Sequence, residues 1–329
     1  MGMKPQELRE NLKGVMHLVL APFNEKNELD EAALRTQLRY SVSQFKGEEV
    51  VFMAGASTSE FYAMSDEENK RYNQIVIEEV SGKFPVILGT GRAGTSYTLE
   101  TSLLAQEMGA DGVMIINPFY MPSTADGLYR HYKVLGDELD IGIIIYNNPV
   151  IASMWIAPPL MAKISKIPNV VGDKDNTASI KALYRMYKTI DPRDMSVFTG
   201  GNCDMYRYAA MFGCPGYVTE FSSFIPQLTV EIYKAGKKRD FETLNALLEK
   251  TDPLVKFIGT CASRRSAIPT TTSPLVVSAE MTCFQSVCKV AMDLIGLPGG
   301  KVREPMENLT DAEREELKQI LIEIGITVK

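Results

Sequence analysis

Eight short apolar runs rich in β-branched residues recur along the chain, each followed by a turn and a longer amphipathic stretch. They are VMHLVL (15–20), EEVVFM (48–53), FPVILG (84–89), DGVMII (111–116), IGIIIY (141–146), NVVGDK (169–174), MSVFTG (195–200) and PGYVT (215–219). Strand-length runs alternating with helix-length segments mark parallel βα units. Eight of them at roughly thirty-residue intervals fit a (β/α)8 TIM barrel better than an open sheet. The intervening segments DEAALRTQLRYSVSQ (30–44), SDEENKRYNQIVIEEVS (65–81) and SYTLETSLLAQEMG (96–109) read as helices, the last stopping at Gly109.

About a hundred residues follow the eighth run, more than one closing helix needs. Helical patterns are expected over 225–236, 239–259, 284–296 and 310–325, with a loop over ASRRSAIPTTTSP (262–274). The spacing therefore predicts a barrel over 1–225, then a closing helix and a helical C-terminal extension packed on it over 226–329. The charged run Glu313–Glu316 reads as solvated helix surface.

Composition narrows the function classes. A net charge of -6 with an isoelectric point near 5.3 disfavours nucleic acid or an anionic membrane as partner. Five cysteines, an odd number with no C-x-x-C pair, indicate neither a disulfide framework nor a zinc cluster, and fit a reducing cytoplasm. The polar N-terminal segment has no signal-peptide core, and no apolar run is long enough to span a membrane. Only His17 and His131 are available, which argues against a histidine triad or a multi-histidine metal site. His17 lies inside the first strand and reads as a core group. No metal or organic cofactor is expected.

Active sites in this fold form at the C-terminal ends of the strands. Strand two runs into Ala56-Ser57-Thr58-Ser59-Glu60, strand five ends at Tyr146 and strand six at Lys174. Alternation puts Val170, Gly172 and Lys174 on one face, with Asp173 on the other, and Gly172 is expected to clear space beneath the lysine. A lysine desolvated at a barrel mouth loses its charge more easily, and the neutral amine attacks a ketone. The resulting imine withdraws electrons, so a bond at C3 of a 2-keto acid can form or break. A neighbouring phenol carries the protons. Ser57 and Thr58 offer hydroxyls and N–H groups to a substrate carboxylate. Plainer readings exist for each: a solvated strand-end lysine, an amphipathic tyrosine, and a capping box in which Ser57 or Thr58 caps a helix and Glu60 reaches back.

At these residues the chain resembles the N-acetylneuraminate lyase and dihydrodipicolinate synthase family of class I pyruvate-dependent aldolases, from Gly14 to about Pro305. Gly14 to Phe23 is similar to the family's opening strand, with Ala21 in place of threonine. Gly55-Ala56-Ser57-Thr58-Ser59-Glu60 resembles G-[ST]-T-G-E, Tyr146-Asn147-Asn148-Pro149 resembles Y-N-x-P, and Gly172-Asp173-Lys174-Asp175 resembles G-x-K-[DE]. The resemblance implies Lys174 as imine former, Tyr146 as catalytic phenol, Ser57 as proton relay and Thr58 as carboxylate ligand. It further implies that Tyr120 reaches a neighbouring subunit's site in a homotetramer built as a dimer of dimers. Gly216 and Thr219, within the eighth-strand motif, inherit substrate contacts.

Ile151 stands where dihydrodipicolinate synthases hold a second carboxylate with arginine, so that synthesis is disfavoured and the apolar loop at Val150, Ile151, Met154 and Trp155 either meets a less charged aldehyde or packs beneath the extra helices. Ser59 replaces a glycine, Asp173 an apolar residue and Ser223 an asparagine. Gly89-Thr90-Gly91-Arg92-Ala93-Gly94 fits G-x-G-x-x-G, yet the following strand ends in Ile115-Ile116-Asn117 without the acidic residue a dinucleotide site requires. The expected activity is a lyase cleaving or forming a carbon–carbon bond at C3 of a 2-keto acid, with pyruvate and an aldehyde as partners. A dehydratase using the same imine, and a non-catalytic keto-acid-binding barrel, are the alternatives.

Overall fold

The computed structural model describes residues 2–201, 203–265 and 283–329. Its eight parallel strands close in chain order: β1 Gly14–Leu18, β2 Val50–Ala54, β3 Val86–Gly89, β4 Gly112–Ile116, β5 Gly142–Asn147, β6 Val170–Asp175, β7 Ser196–Thr199 and β8 Gly216–Thr219. Closure comes from β8 pairing with β1, Gly14 opposite Gly216 and His17 opposite Thr219. Nearly every strand residue is buried, as expected when helices cover one face and packed side chains fill the other. That double burial is why the runs are continuous in Val, Ile and Leu rather than alternating.

The N-terminal end of the barrel is plugged. The helix Pro5–Asn11 places the fully buried Leu8 against Gly112 and Gly142, where any Cβ would collide with the leucine side chain. Gly172 makes room in the same way, but for Leu12 and Ile144 rather than for the lysine. Space beside Lys174 comes instead from Gly200, whose missing Cβ would lie 2.8 Å from Lys174 Cγ. The Gly89–Gly94 run is a tight strand-to-helix turn: a Cβ on Gly91 would meet the Ile116 backbone nitrogen at 2.8 Å. His17 is buried, its Nδ1 2.8 Å from Ser222 Oγ, and burial lowers its pKa to about 3.

Two helix expectations change. The stretch 239–259 splits into Phe241–Glu249 and Asp252–Arg264, because Pro253 has no N–H to continue the ladder and fits the first turn of a new helix. That second helix absorbs the start of the expected loop at 262–264, and 266–274 lie outside the described residues. The cap of the helix Asp66–Val80 is Ser65 with Glu68, not Ser57 or Thr58 with Glu60. Further helices at Pro226–Lys238, Phe284–Leu294 and Asp311–Glu323 follow the barrel. Glu313 is buried rather than solvated, closing a capping box with Thr310 and pairing with Arg265.

Candidate active site at the barrel mouth

Register places Tyr146 directly opposite Lys174 on adjacent strands. Both are buried, and the Lys174 amine lies 4.0 Å from the centre of the Tyr146 ring. Taking an ammonium out of water disfavours its charged form, and this lowers the Lys174 pKa from 10.5 to about 7. The partly buried Glu220 carboxylate, just beyond β8, opposes this and draws the value back up. The electron-rich ring face also favours the cation, but desolvation wins.

Burial raises the Tyr146 phenol, while hydrogen bonding by Asn148 and Ser57 pulls it part of the way back. Asn148 Nδ2 donates to Tyr146 Oη at 2.8 Å, and Asn148 Oδ1 is fixed by the N–H groups of Val150 and Ile151 at 3.0 and 3.2 Å. A phenol that accepts from Asn148 keeps its own proton for another partner, and Ser57 stands within hydrogen-bonding reach of it. Ser57 and Thr58 stand in a 3-10 turn, Ser57–Ser59, immediately after β2. Lysine, phenol and hydroxyl thus converge from three strand ends.

Asp173 faces away from the amine and does not perturb it. It is fully buried, and neither carboxylate oxygen has a hydrogen-bond partner among the described residues. Burial, reinforced by the Asp175 charge, holds this carboxyl well above the usual range. Below about pH 4 both folded and unfolded forms are protonated. As pH rises the unfolded carboxyl ionises first, so the unfolded state is favoured and stability falls. Asp173→Leu is therefore expected to gain roughly 1–3 kcal/mol at pH 8 and distinctly less at pH 4, read by urea unfolding. Equal changes at both pH values would contradict this account.

The other expected site residues are placed differently. Gly216 is a correction: it opens β8 beside Gly14, at the plugged end of the barrel, where a Cβ would strike the Gly14 backbone. Its role there is close strand packing, remote from the mouth. Thr219 ends β8 at the correct end, but its hydroxyl turns outward to Cys203 Sγ at 3.2 Å and accepts the Phe221 N–H at 3.2 Å. Ile151 sits half-buried in the short helix Pro149–Ala152 and packs on the core. Tyr120 is 82% exposed and joins no part of the cluster within one chain. A concavity of about 770 Å³ lined by Lys13, Arg39, Lys46, Glu49 and Lys83 includes none of these groups. Converging titratable side chains, not volume, mark the candidate site.

Sequence reading missed Glu220, Gly200 and the clamping role of Asn148. Glu220 had no available signal, since its approach to Lys174 depends on how β8 ends.

Residues 11–324 match the model of the dihydrodipicolinate synthetase family. The chain belongs to that family. A 4-hydroxy-tetrahydrodipicolinate synthase of Methanospirillum hungatei is 28% identical over 311 residues, 94% of this chain and 98% of that protein. A probable 5-dehydro-4-deoxyglucarate dehydratase of Bradyrhizobium diazoefficiens is also 28% identical, over 97% of this chain and 95% of its own length. The solved structure of a prophage protein of the dihydrodipicolinic acid synthase family from E. coli K12, in complex with pyruvate, has a TM-score of 0.82 at 23% identity, covering 96% of this chain and 99% of that one. The first two of these, equally similar to this chain, are named for different activities, one a synthase and one a probable dehydratase. No described helix is long and apolar enough to cross a membrane.

Proposed function

We propose that this family member is a Schiff-base-forming lyase that cleaves or forms a carbon–carbon bond at C3 of a 2-keto acid, with pyruvate as product or donor. The observation that carries this reading is the buried Lys174 amine over the Tyr146 ring. With its pKa near 7, a large fraction of Lys174 is neutral at physiological pH and able to attack the C2 carbonyl. Ser57 and Thr58 hold the carboxylate. Tyr146, relayed through Ser57, gives the proton with which the carbinolamine oxygen leaves as water. The iminium then accepts the electron pair of the C3–C4 bond as the C4 hydroxyl loses its proton, releasing an aldehyde. Protonation at C3 and hydrolysis of the imine release pyruvate and restore the amine.

Half-buried Ile151 offers no charge to a second carboxylate, which favours a less charged aldehyde and disfavours dihydrodipicolinate synthesis. A dehydratase reading draws on the Bradyrhizobium relative and on Glu220, whose carboxyl is raised by burial and suits donation of a proton to a departing hydroxyl. The exposed Tyr120 fits a homo-oligomer, a dimer of dimers in which it completes a neighbouring chain's mouth. The five cysteines form no disulfide among the described residues, which accords with a reducing, cytoplasmic setting.

Incubation with pyruvate and borohydride tests the proposal. A reduced covalent adduct mapping to Lys174 is expected, and its absence would leave only a keto-acid-binding barrel. Product analysis on keto-deoxy sugar acids then divides the enzymes: pyruvate plus aldehyde for the lyase, a dehydrated keto acid for the dehydratase.

A further inference from the structure

The turn that carries Ser57 and Thr58 ends at Glu60, and Glu60 is unusual twice over. It is fully buried, and it adopts a left-handed backbone with φ 54°, a region that residues with a Cβ avoid. Its carboxylate is held entirely from the segment beyond the barrel. Oε1 accepts from the amine of Lys289, itself fully buried, and Oε2 accepts the Arg303 backbone N–H at 2.9 Å.

Lys289 is pinned in turn. It donates to the Lys301 carbonyl at 2.7 Å and stands 4.7 Å over the Phe23 ring. Gln285, one turn earlier on the same helix, donates to the Ser57 carbonyl at 3.4 Å. The Arg303 guanidinium grips Glu68 and the Ala63 carbonyl, fixing the chain on the far side of the turn. Both ends of the turn are therefore anchored by residues more than two hundred positions away.

A buried ion pair is a poor device for stability alone, because desolvating two charges offsets their attraction and well-packed apolar residues often serve as well. What such a pair does supply is a fixed geometry. Here that geometry is the orientation of the hydroxyls and N–H groups at Ser57 and Thr58. We propose that Glu60, Lys289 and Gln285 are positioning residues that set the carboxylate-binding turn, so the C-terminal extension governs recognition of the keto acid's carboxylate. This rests on the Schiff-base reading above.

Two ketones separate positioning from mere support of the fold: pyruvate, and acetone, which lacks the carboxylate. Borohydride trapping of each is followed with concentration in wild type, in the double variant Glu60→Gln/Lys289→Met, which removes both charges together, and in Gln285→Leu. Circular dichroism selects the variants that fold, and either one suffices. The half-saturating pyruvate concentration is expected to rise about tenfold or more while the trapping rate at saturation stays within about twofold. Acetone trapping should match wild type. If pyruvate and acetone trapping fall together, or if pyruvate half-saturation does not move, the positioning role is overturned. Wild type that traps neither ketone overturns the Schiff-base reading, and this inference with it.

Discussion

Lys174→Ala is expected to lower turnover by roughly 10⁴-fold or more, since the whole covalent route depends on one amine. The borohydride adduct should vanish with it. In wild type, the rate of imine formation with pyruvate should rise with pH to a midpoint near 7, where an ordinary lysine would still be rising toward 10.5. Stability should move the other way on mutation. The folded pKa lies below the unfolded one, so the unfolded state binds more protons between about pH 7 and 10.5 and stability climbs with pH across that window. At pH 7 and below, holding this amine desolvated costs on the order of 4 kcal/mol. Lys174→Met should therefore be inactive yet more stable at pH 6, with the gain shrinking toward pH 10. A methionine variant no more stable than wild type at pH 6 would mean that the amine is hydrated after all.

Tyr146→Phe carries the next largest effect. It retains the ring beneath the amine but removes the hydroxyl that Asn148 orients. Turnover is expected to fall by roughly 10²–10⁴-fold. The adduct should still form, slowly, because the nucleophile and its desolvated surroundings remain. Rapid-quench measurement of the trapped imine resolves this. An unchanged rate would remove the phenol from the proton pathway, and complete loss of the adduct would make its role structural.

The barrel was legible because its signal is local. Each strand announces itself within six residues by continuous apolar character, and each helix by its period, so the order β1 to β8 follows without knowledge of distant contacts. Lys174 and Tyr146 were legible for the same reason, as polar residues ending strands whose parity is fixed by the pleat. What could not be read were meetings between remote segments. Glu60 has the spacing of a capping residue, and only Lys289 and Arg303, far along the chain, show what its carboxylate does. Gly216 lies in a motif that suggests the mouth, yet its pairing with Gly14 puts it at the plugged end. The break at Thr251 was hidden by an amphipathic pattern that runs through it, although Pro253 marked the place.

The anchoring of Glu60 also bears on synthesis of the chain. Ribosomes deliver residues in order, so Lys174, Tyr146 and the turn at Ser57 all emerge well before Lys289 and Arg303 do. On the positioning proposal, a nascent chain long enough to close all eight strands still holds a keto acid loosely until Gln285, Lys289 and Arg303 arrive. On that proposal an unfinished copy holds a keto acid more weakly than a finished one, and a version of the chain shortened before Gln285 loses the same contacts.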